Sequence, residues 1–573
     1  MNCMKKFASI MLALVMAFAL MAPAFASTGG ETTGRPQAPT ATTGSITINN
    51  ASKGHTYSAY QIFDGDLSYD SETDGDLTNP TLSNVEWGTG VNKTAVTAAL
   101  ANTEFADMTA ADIAAYLSDT ETGGEATARR FAQAISGVLA ETAQGTATIR
   151  GEETSCTISG LDFGYYLIKD TATIAGDDNK ADAVSLFMLQ VVGPTTVESK
   201  VGTPSSDKKI VTGENSEGRE VVGDYNIGDT VKFELTATLG DNYDKYTTYK
   251  LVFHDTMSKG LTLKANTIVV KMGNTTFTQV TGDEKNGYTV TTSTDAEGNA
   301  TLDIAFADLK TAASDATTGS VITVTYEATL NSDAVIGNPG NPNEMYLEFS
   351  NNPNDDGEGS TDNTPPKDVL VFTYTLDNTK VDGTDETVKL PDAEFKLKAV
   401  DGEHAGQWVQ IDESSKKVTG WTDSENDASV LKSGSDGKFT VIGLDAGNYE
   451  LWETKAPVGY NKPEKPFKIE IKASFDESYD GSAKNETVLE SLGIRVDEAV
   501  KADTENPEQN VPDYKPGDVA SGVVGASIEN NKGAILPETG GIGTKIFYAL
   551  GGLLTVGAVV LLVTKKRMNA DDK

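Results

Sequence analysis

The strongest constraint on the fold is a strict two-residue alternation of apolar and polar side chains. In VITVTYEATL, Ile322, Val324, Tyr326, Ala328 and Leu330 alternate with threonines and Glu327. In VKFELTA, Val231, Phe233 and Leu235 alternate with Lys232, Glu234 and Thr236. Successive side chains of a strand point to opposite faces, so this pattern specifies strands with one face buried and one in water. DG, NG and GN pairs punctuate the runs at the spacing of an antiparallel β-sandwich. The expectation is an all-β protein.

Composition shifts divide the chain. Residues 27–43 are rich in Thr, Gly and Pro and read as a linker. Residues 44–198 carry strand signals interrupted by helical stretches near Val96–Leu117 and Ala126–Glu141. In the second of these, Phe131, Ile135, Val138 and Leu139 share a helical face. Residues 199–352 read as a β-sandwich, 353–367 as a second linker (NNPNDDGEGSTDNTPP lies across it), and 368–531 as a third β domain.

The ends read as addresses. Lys5 and Lys6, the apolar run Phe7–Leu20 and Ala24-Phe25-Ala26 form a secretory signal over 1–26, so the mature chain is expected to begin at Ser27. Residues 546–563 are uncharged and mostly apolar, and a basic tail over 564–573 follows with Lys565, Lys566 and Arg567, which suits a membrane span with a cytoplasmic stop. Cys3 leaves with the signal, so Cys156 is the single cysteine of the exported chain and no intrachain disulfide can brace it. The net charge of −38 argues against nucleic acid as a partner.

Two strands carry an acid where a core residue belongs. In YELWETKAPVGY, Tyr449, Leu451 and Glu453 share a face; in YKLVFHDTMSKGLTL, Tyr249, Leu251, Phe253 and Asp255 do. A buried carboxylate is costly unless it is paired or protonated. Other chemistry is sparse. The acidic run Asp64–Asp76 lacks the Glu of an EF-hand loop, with Thr81 at position 12 counted from Asp70, and reads as a solvated loop. His55, His254 and His404 have no metal-ligand spacing. No cofactor, metal or external substrate is expected.

LPETGG, Leu536–Gly541 within 532–541, stands before the apolar run and its basic tail. Together with the signal peptide these parts resemble the cell-wall sorting signal of Gram-positive surface proteins. The resemblance implies that a sortase recognises Leu536, Pro537, Glu538, Thr539 and Gly540, cleaves between Thr539 and Gly540, and holds Thr539 as an acyl-enzyme until an amine resolves it.

YELWETKAPVGY also resembles the E-box of pilin subunits and of collagen-adhesin B-type domains. That resemblance implies tandem immunoglobulin-like sandwiches in which the acid promotes a spontaneous isopeptide bond between a Lys and an Asn. Burial lowers the lysine pKa and raises that of the acid, leaving a neutral nucleophile and a proton donor. The implied catalyst is Glu453. Lys380, in phase with Tyr374 and Leu376, is the nucleophile, and Asn530, in phase with Ile528, is the acceptor, with Asn531 the alternative. The middle domain resembles collagen-adhesin A-type domains, which makes Asp255 the acid, Lys208 the nucleophile (Lys209 the alternative) and Asn351 the acceptor, in phase with Leu347 and Phe349. GYYLIKDT in the first domain resembles a degraded E-box with Asp170 in the acid position. No Lys and Asn pair accompanies it, so that domain is expected to lack a crosslink.

Backbone pilins carry a lysine at the junction of their first two domains, in a motif like V-Y-P-K. Here the junction reads VVGPTTVESKVGTPSSDKK, without the Tyr-Pro, and Lys200 stands in the corresponding place. The expectation is a secreted, cell-wall-anchored structural subunit of a covalent pilus rather than an enzyme. Its implied partners are a pilin-type or housekeeping sortase, identical subunits, peptidoglycan and tip or base minor pilins. The alternative is a monomeric wall-anchored adhesin binding host matrix or glycan.

Overall fold

The alternating segments pair into sheets. The computed structural model describes residues 43–49, 51, 54–73, 76–119, 125–150, 153–172, 186–199, 202–213, 218–353, 360–482, 487–497, 514–533 and 542–568. Residues 1–26, read as a signal peptide, nearly all of the tract read as the first linker, Lys200 and Leu536–Gly541 lie outside them.

In the first domain, Gly44–Asn49 lies between Ser155–Leu161 and Pro194–Glu198 in one sheet. A second sheet orders Asp76–Trp87, His55–Thr73, Gly164–Ala172 and Leu186–Val191, with Gly145–Thr148 beside His55–Thr73. Ile46, Ile48, Tyr57, Ile158, Tyr166 and Ile168 fill the space between the sheets. Ile62, Phe63, Phe105, Phe131 and Ile135 form a second core against helices Lys93–Leu100, Ala110–Ser118 and Glu125–Ser136. The first helical stretch is broken because Thr109 caps a new helix in a reciprocal capping box with Asp112. The last helix stops at Ser136, and Val138 and Leu139 pack against the same core from beyond its end. The described residues of the acidic run, 64–73 and Asp76, are strand rather than loop: Asp66 pairs with Ser83 and Ser71 with Thr78.

The middle domain is a sandwich. One sheet orders Gly218–Glu220, Ser205–Thr212, Thr230–Thr238, Val321–Leu330, Leu261–Met272 and Thr275–Thr276. The other orders Val222–Asp224, Lys367–Phe372, Asn341–Ser350, Leu251–Met257, Ala300–Phe306 and Thr289–Thr294. Burial follows the alternation, with Val231, Phe233, Leu235, Ile322, Val324, Ala328 and Leu330 fully enclosed. The tract read as a linker is partly sheet, since Thr361–Asn363 pairs with Asn341–Ser350; Lys367–Phe372, nearly all of it read as the start of the third domain, pairs with the same middle-domain strand. Turn-rich composition hid Thr361–Asn363, a three-residue strand that folds back on the strand just before it.

The third domain begins at Tyr374–Asp382, which pairs with Lys438–Leu444 on one side and, in parallel, with Val523–Val524 and Ser527–Asn530 on the other. Its second sheet runs through Val418–Thr422, Trp408–Ile411, Glu394–Ala399, Gly447–Lys455, Phe467–Phe475, Leu489–Asp497 and Lys515–Pro516. The middle and third domains share one continuous apolar core. At their junction the Ile227 amide donates to Gly443 O (3.0 Å). Gly443 has φ +97, and a Cβ there would lie 2.4 Å from Ile227 Cδ1, so only glycine fits.

Beyond the third domain, Ile542–Met568 is a helix about 40 Å long at 1.5 Å per residue. Within it Lys545–Arg567 is long and apolar enough to cross a membrane, in register with the span expected over 546–563.

Candidate functional site: two buried clusters of lysine, acid and asparagine

Strand register builds the cluster of the third domain. Lys380 on the first strand lies opposite Ile528 on the parallel last strand, and Asp382 lies opposite Asn530. Glu453 comes from the facing sheet, where it pairs with Phe395. Lys380, Glu453 and Asn530 are all buried, at 0%, 4% and 2% exposure. Lys380 Nζ donates to Asn530 Oδ1 (2.5 Å) and to Ile528 O (3.0 Å). Asn530 Nδ2 donates to Glu453 Oε1 (2.8 Å). Glu453 Oε2 stands 3.8 Å from Lys380 Nζ and has no hydrogen-bond partner among the described residues. Phe395 and Phe467 wall the amine, their ring centroids 5.8 and 5.6 Å from Nζ.

The electrostatics follow from burial. Desolvation pushes the Lys380 pKa down to about 8, against the opposing pull of Glu453. Desolvation likewise raises the Glu453 carboxyl above its ordinary range, although Lys380 and the Asn530 hydrogen bond pull it back. The site thus holds an amine that gives up its proton more readily than an ordinary lysine, an acid whose charged form burial disfavours, and an amide carbonyl in contact with the amine.

The middle domain repeats the arrangement. Lys208, on the strand Ser205–Thr212, is buried in phase with Ile210 and contacts Asp255 Oδ2 directly. Its Nζ also donates to Asn343 Oδ1 (2.6 Å). Burial lowers the Lys208 pKa and raises that of Asp255, and in each case the partner opposes the shift. Lys209 points outward and pairs with Asp207 (3.2 Å).

The amide at Lys208 belongs to Asn343, not to Asn351 as the sequence reading expected. Asn351 is buried elsewhere and accepts from Ser360 Oγ (2.6 Å). The alternation that picked out Leu347 and Phe349 extends back through Met345, Asn343 and Asn341, all on the buried face. Pairing with Leu251–Met257 then sets the depth: Asp255 faces Met345 and Met257 faces Asn343. Asn341 is occupied otherwise, its amide bonding Val335 and Val371 of the backbone. In the third domain Asn530, not Asn531, meets the lysine; Asn531 is exposed.

The sequence reading also missed Tyr326, whose hydroxyl joins the middle cluster, and His55. His55 Nδ1 lies 2.8 Å from Asp170 Oδ1, and both side chains are fully buried in the first domain. Tyr326 looked like one more apolar member of an alternating strand, and His55 was assessed only for metal spacing.

Three parts of the chain match known families. Residues 227–353 match a family described as Gram-positive pilin backbone subunit 2, Cna-B-like domain; residues 375–485 match a prealbumin-like fold domain, and 528–570 the LPXTG cell wall anchor motif. The first description names a Cna-B-like domain where the sequence resembles an A-type one. The trypsin-resistant surface T6 protein of Streptococcus pyogenes serotype M6 is 24% identical over 424 residues, 65% of this chain and 71% of that protein. The solved structure of the T6 backbone pilin, described as a modular three-domain structure, is 17% identical with a TM-score of 0.49, covering 86% of this chain and 99% of that one. The major pilin SpaD of Corynebacterium diphtheriae is 17% identical with a TM-score of 0.44, over 86% and 98% of the two chains.

Proposed function

We propose that this chain, a backbone subunit of a Gram-positive pilus held at the cell surface by its LPXTG anchor, is locked internally by two isopeptide bonds, Lys208–Asn343 and Lys380–Asn530. The observation that carries this reading is the contact of a fully buried, pKa-lowered Lys380 amine with the Asn530 amide, beside the raised carboxyl of Glu453.

The chemistry is a single turnover. Neutral Lys380 Nζ attacks Asn530 Cγ, forming the new C–N bond as the carbonyl pair moves to Oδ1. One Nζ proton passes to the facing Glu453 Oε2, and the proton of the acid passes from Oε1 to Nδ2. Collapse of the intermediate breaks Cγ–Nδ2, ammonia leaves, and Glu453 ends as it began. Each bond ties a strand near the start of its domain to one near its end, so tension along the pilus bypasses the strands between. Such bonds serve where disulfides cannot, since Cys156 is the single mature cysteine.

The LPXTG anchor implies sortase processing and the joining of subunits. In the proposed polymer Thr539 of one subunit is linked to Lys200 of the next, by a pilin-type sortase, and a housekeeping sortase attaches the last subunit to peptidoglycan; minor pilins would occupy tip and base. A proteolytic digest of the surface protein tests the internal bonds. Branched peptides joining Lys208 to Asn343 and Lys380 to Asn530 are expected, and linear peptides alone would overturn the reading.

A further inference from the structure

The two clusters differ in one respect that their shared chemistry leaves unexplained. In the third domain the acid is Glu453, and its Oε1 reaches the Asn530 amide nitrogen directly at 2.8 Å. In the middle domain the acid is Asp255, one methylene shorter. Among the described residues no hydrogen bond joins it to Asn343. The gap is filled by Tyr326, which comes from Val321–Leu330 in the opposite sheet. Its hydroxyl donates to Asp255 Oδ1 (2.9 Å) and accepts from Asn343 Nδ2 (2.7 Å), and Lys208 Nζ stands 3.4 Å from the same oxygen. The phenol therefore touches all three members of the cluster, at the end of a fully buried side chain.

We propose that Tyr326 is the proton relay of the middle domain, carrying to the Asn343 nitrogen the proton that Glu453 delivers directly in the third. This rests on the reading that Lys208 and Asn343 become joined. Lys208 Nζ attacks Asn343 Cγ, the carbonyl pair moves to Oδ1, and one Nζ proton passes to Asp255 Oδ2. As Nδ2 becomes tetrahedral and frees its lone pair, both hydrogen bonds of the Tyr326 hydroxyl must reverse: the acid then releases its own proton from Oδ1 to the Tyr326 oxygen while the Tyr326 hydroxyl proton moves to Nδ2. The Cγ–Nδ2 bond breaks and ammonia leaves. One proton has travelled from Nζ to Nδ2, and both Asp255 and Tyr326 end neutral. Burial and the neighbouring Asp255 hold the Tyr326 hydroxyl well above its ordinary pKa, so it passes a proton through rather than resting as a phenolate.

Tyr326→Phe keeps the ring and removes the relay. The test follows ammonia loss from the middle and third domains of the mature chain, residues 27–539, by mass spectrometry of fragments after refolding. Bond formation at Lys208 is expected to slow on the order of 10²-fold, the scale of one proton-transfer contribution. Lys380–Asn530 should form at the wild-type rate, which reports that the chain has folded. Adding Asp255→Glu to Tyr326→Phe should restore the middle bond, because the longer acid reaches Asn343 as Glu453 reaches Asn530. If Tyr326→Phe fails to fold, 3,5-difluorotyrosine at position 326 keeps every contact while making the phenol more acidic. A changed rate at Lys208 then supports the relay and an unchanged rate overturns it. A wild-type rate in Tyr326→Phe overturns the relay while leaving the crosslink intact. A wild-type chain that keeps its middle-domain ammonia overturns the crosslink itself, and the relay with it.

Discussion

Lys380 and Asn530 are 150 residues apart in sequence, yet their side chains meet at 2.5 Å between the parallel first and last strands of one domain. Nearly the whole third domain lies within the loop they would close. A crosslink closing a loop of that size stabilises by about 5 kcal/mol in the chain-entropy treatment.

Glu453→Gln keeps the shape of the side chain and removes the carboxyl needed to move protons. The third domain should fold, retain one ammonia relative to wild type, and lose stability on the order of 5 kcal/mol. Fragment mass together with thermal melting and trypsin resistance reads both effects. Loss of the ammonia in this variant would remove Glu453 from the chemistry.

The two candidate acceptors in the middle domain make opposite predictions. Asn343→Ala should abolish the crosslink to Lys208, whereas Asn351→Ala should leave it in place and cost only the hydrogen bond with Ser360. Fragment masses of the two variants decide between them.

Acids at the junction of the middle and third domains should make stability depend on pH. Burial is the largest cause in raising Asp224 to about 6 and Asp445 to about 7, against an ordinary carboxylate near 4. Between about pH 4 and 7 the folded chain therefore holds protons that the unfolded chain has released. The stability these groups add is complete below about pH 4 and is lost as pH rises through 6 and 7. Asp445→Asn keeps a neutral acceptor for the Tyr449 hydroxyl. Its melting temperature should match wild type near pH 4 and exceed it above about pH 7. A constant offset across that range would contradict the assignment.

Lys200→Ala should convert a sortase-dependent ladder of covalent polymers on a denaturing gel into a single wall-linked species. A ladder that persists would place the joining amine on another lysine, and a single band in wild type would favour a monomeric adhesin.

Much of the two clusters was legible in the sequence because alternation reaches the clustered residues themselves. Glu453 continues the Tyr449 and Leu451 stripe, Asp255 continues that of Leu251 and Phe253, and Lys380 and Lys208 are in phase with Leu376 and Ile210. Periodicity gives the face of a strand but not the depth along it. The strand Asn341–Ser350 offers asparagines at 341 and 343 on the same buried face, and Asn351 follows at its end, so only pairing with the neighbouring strand selects Asn343. Tyr326 was hidden for a related reason: an aromatic ring in an alternating strand looks like core until the opposite sheet shows what its hydroxyl touches. The short strand Thr361–Asn363 was hidden by turn-rich composition, whereas Lys367–Phe372 carries a β pattern that does not reveal which neighbouring domain it joins.

The intact mass of the chain over 27–539 tests the crosslinks most directly. It should fall short of the sequence mass by two molecules of ammonia, one for Lys208–Asn343 and one for Lys380–Asn530. A mass equal to that of the sequence would contradict both bonds.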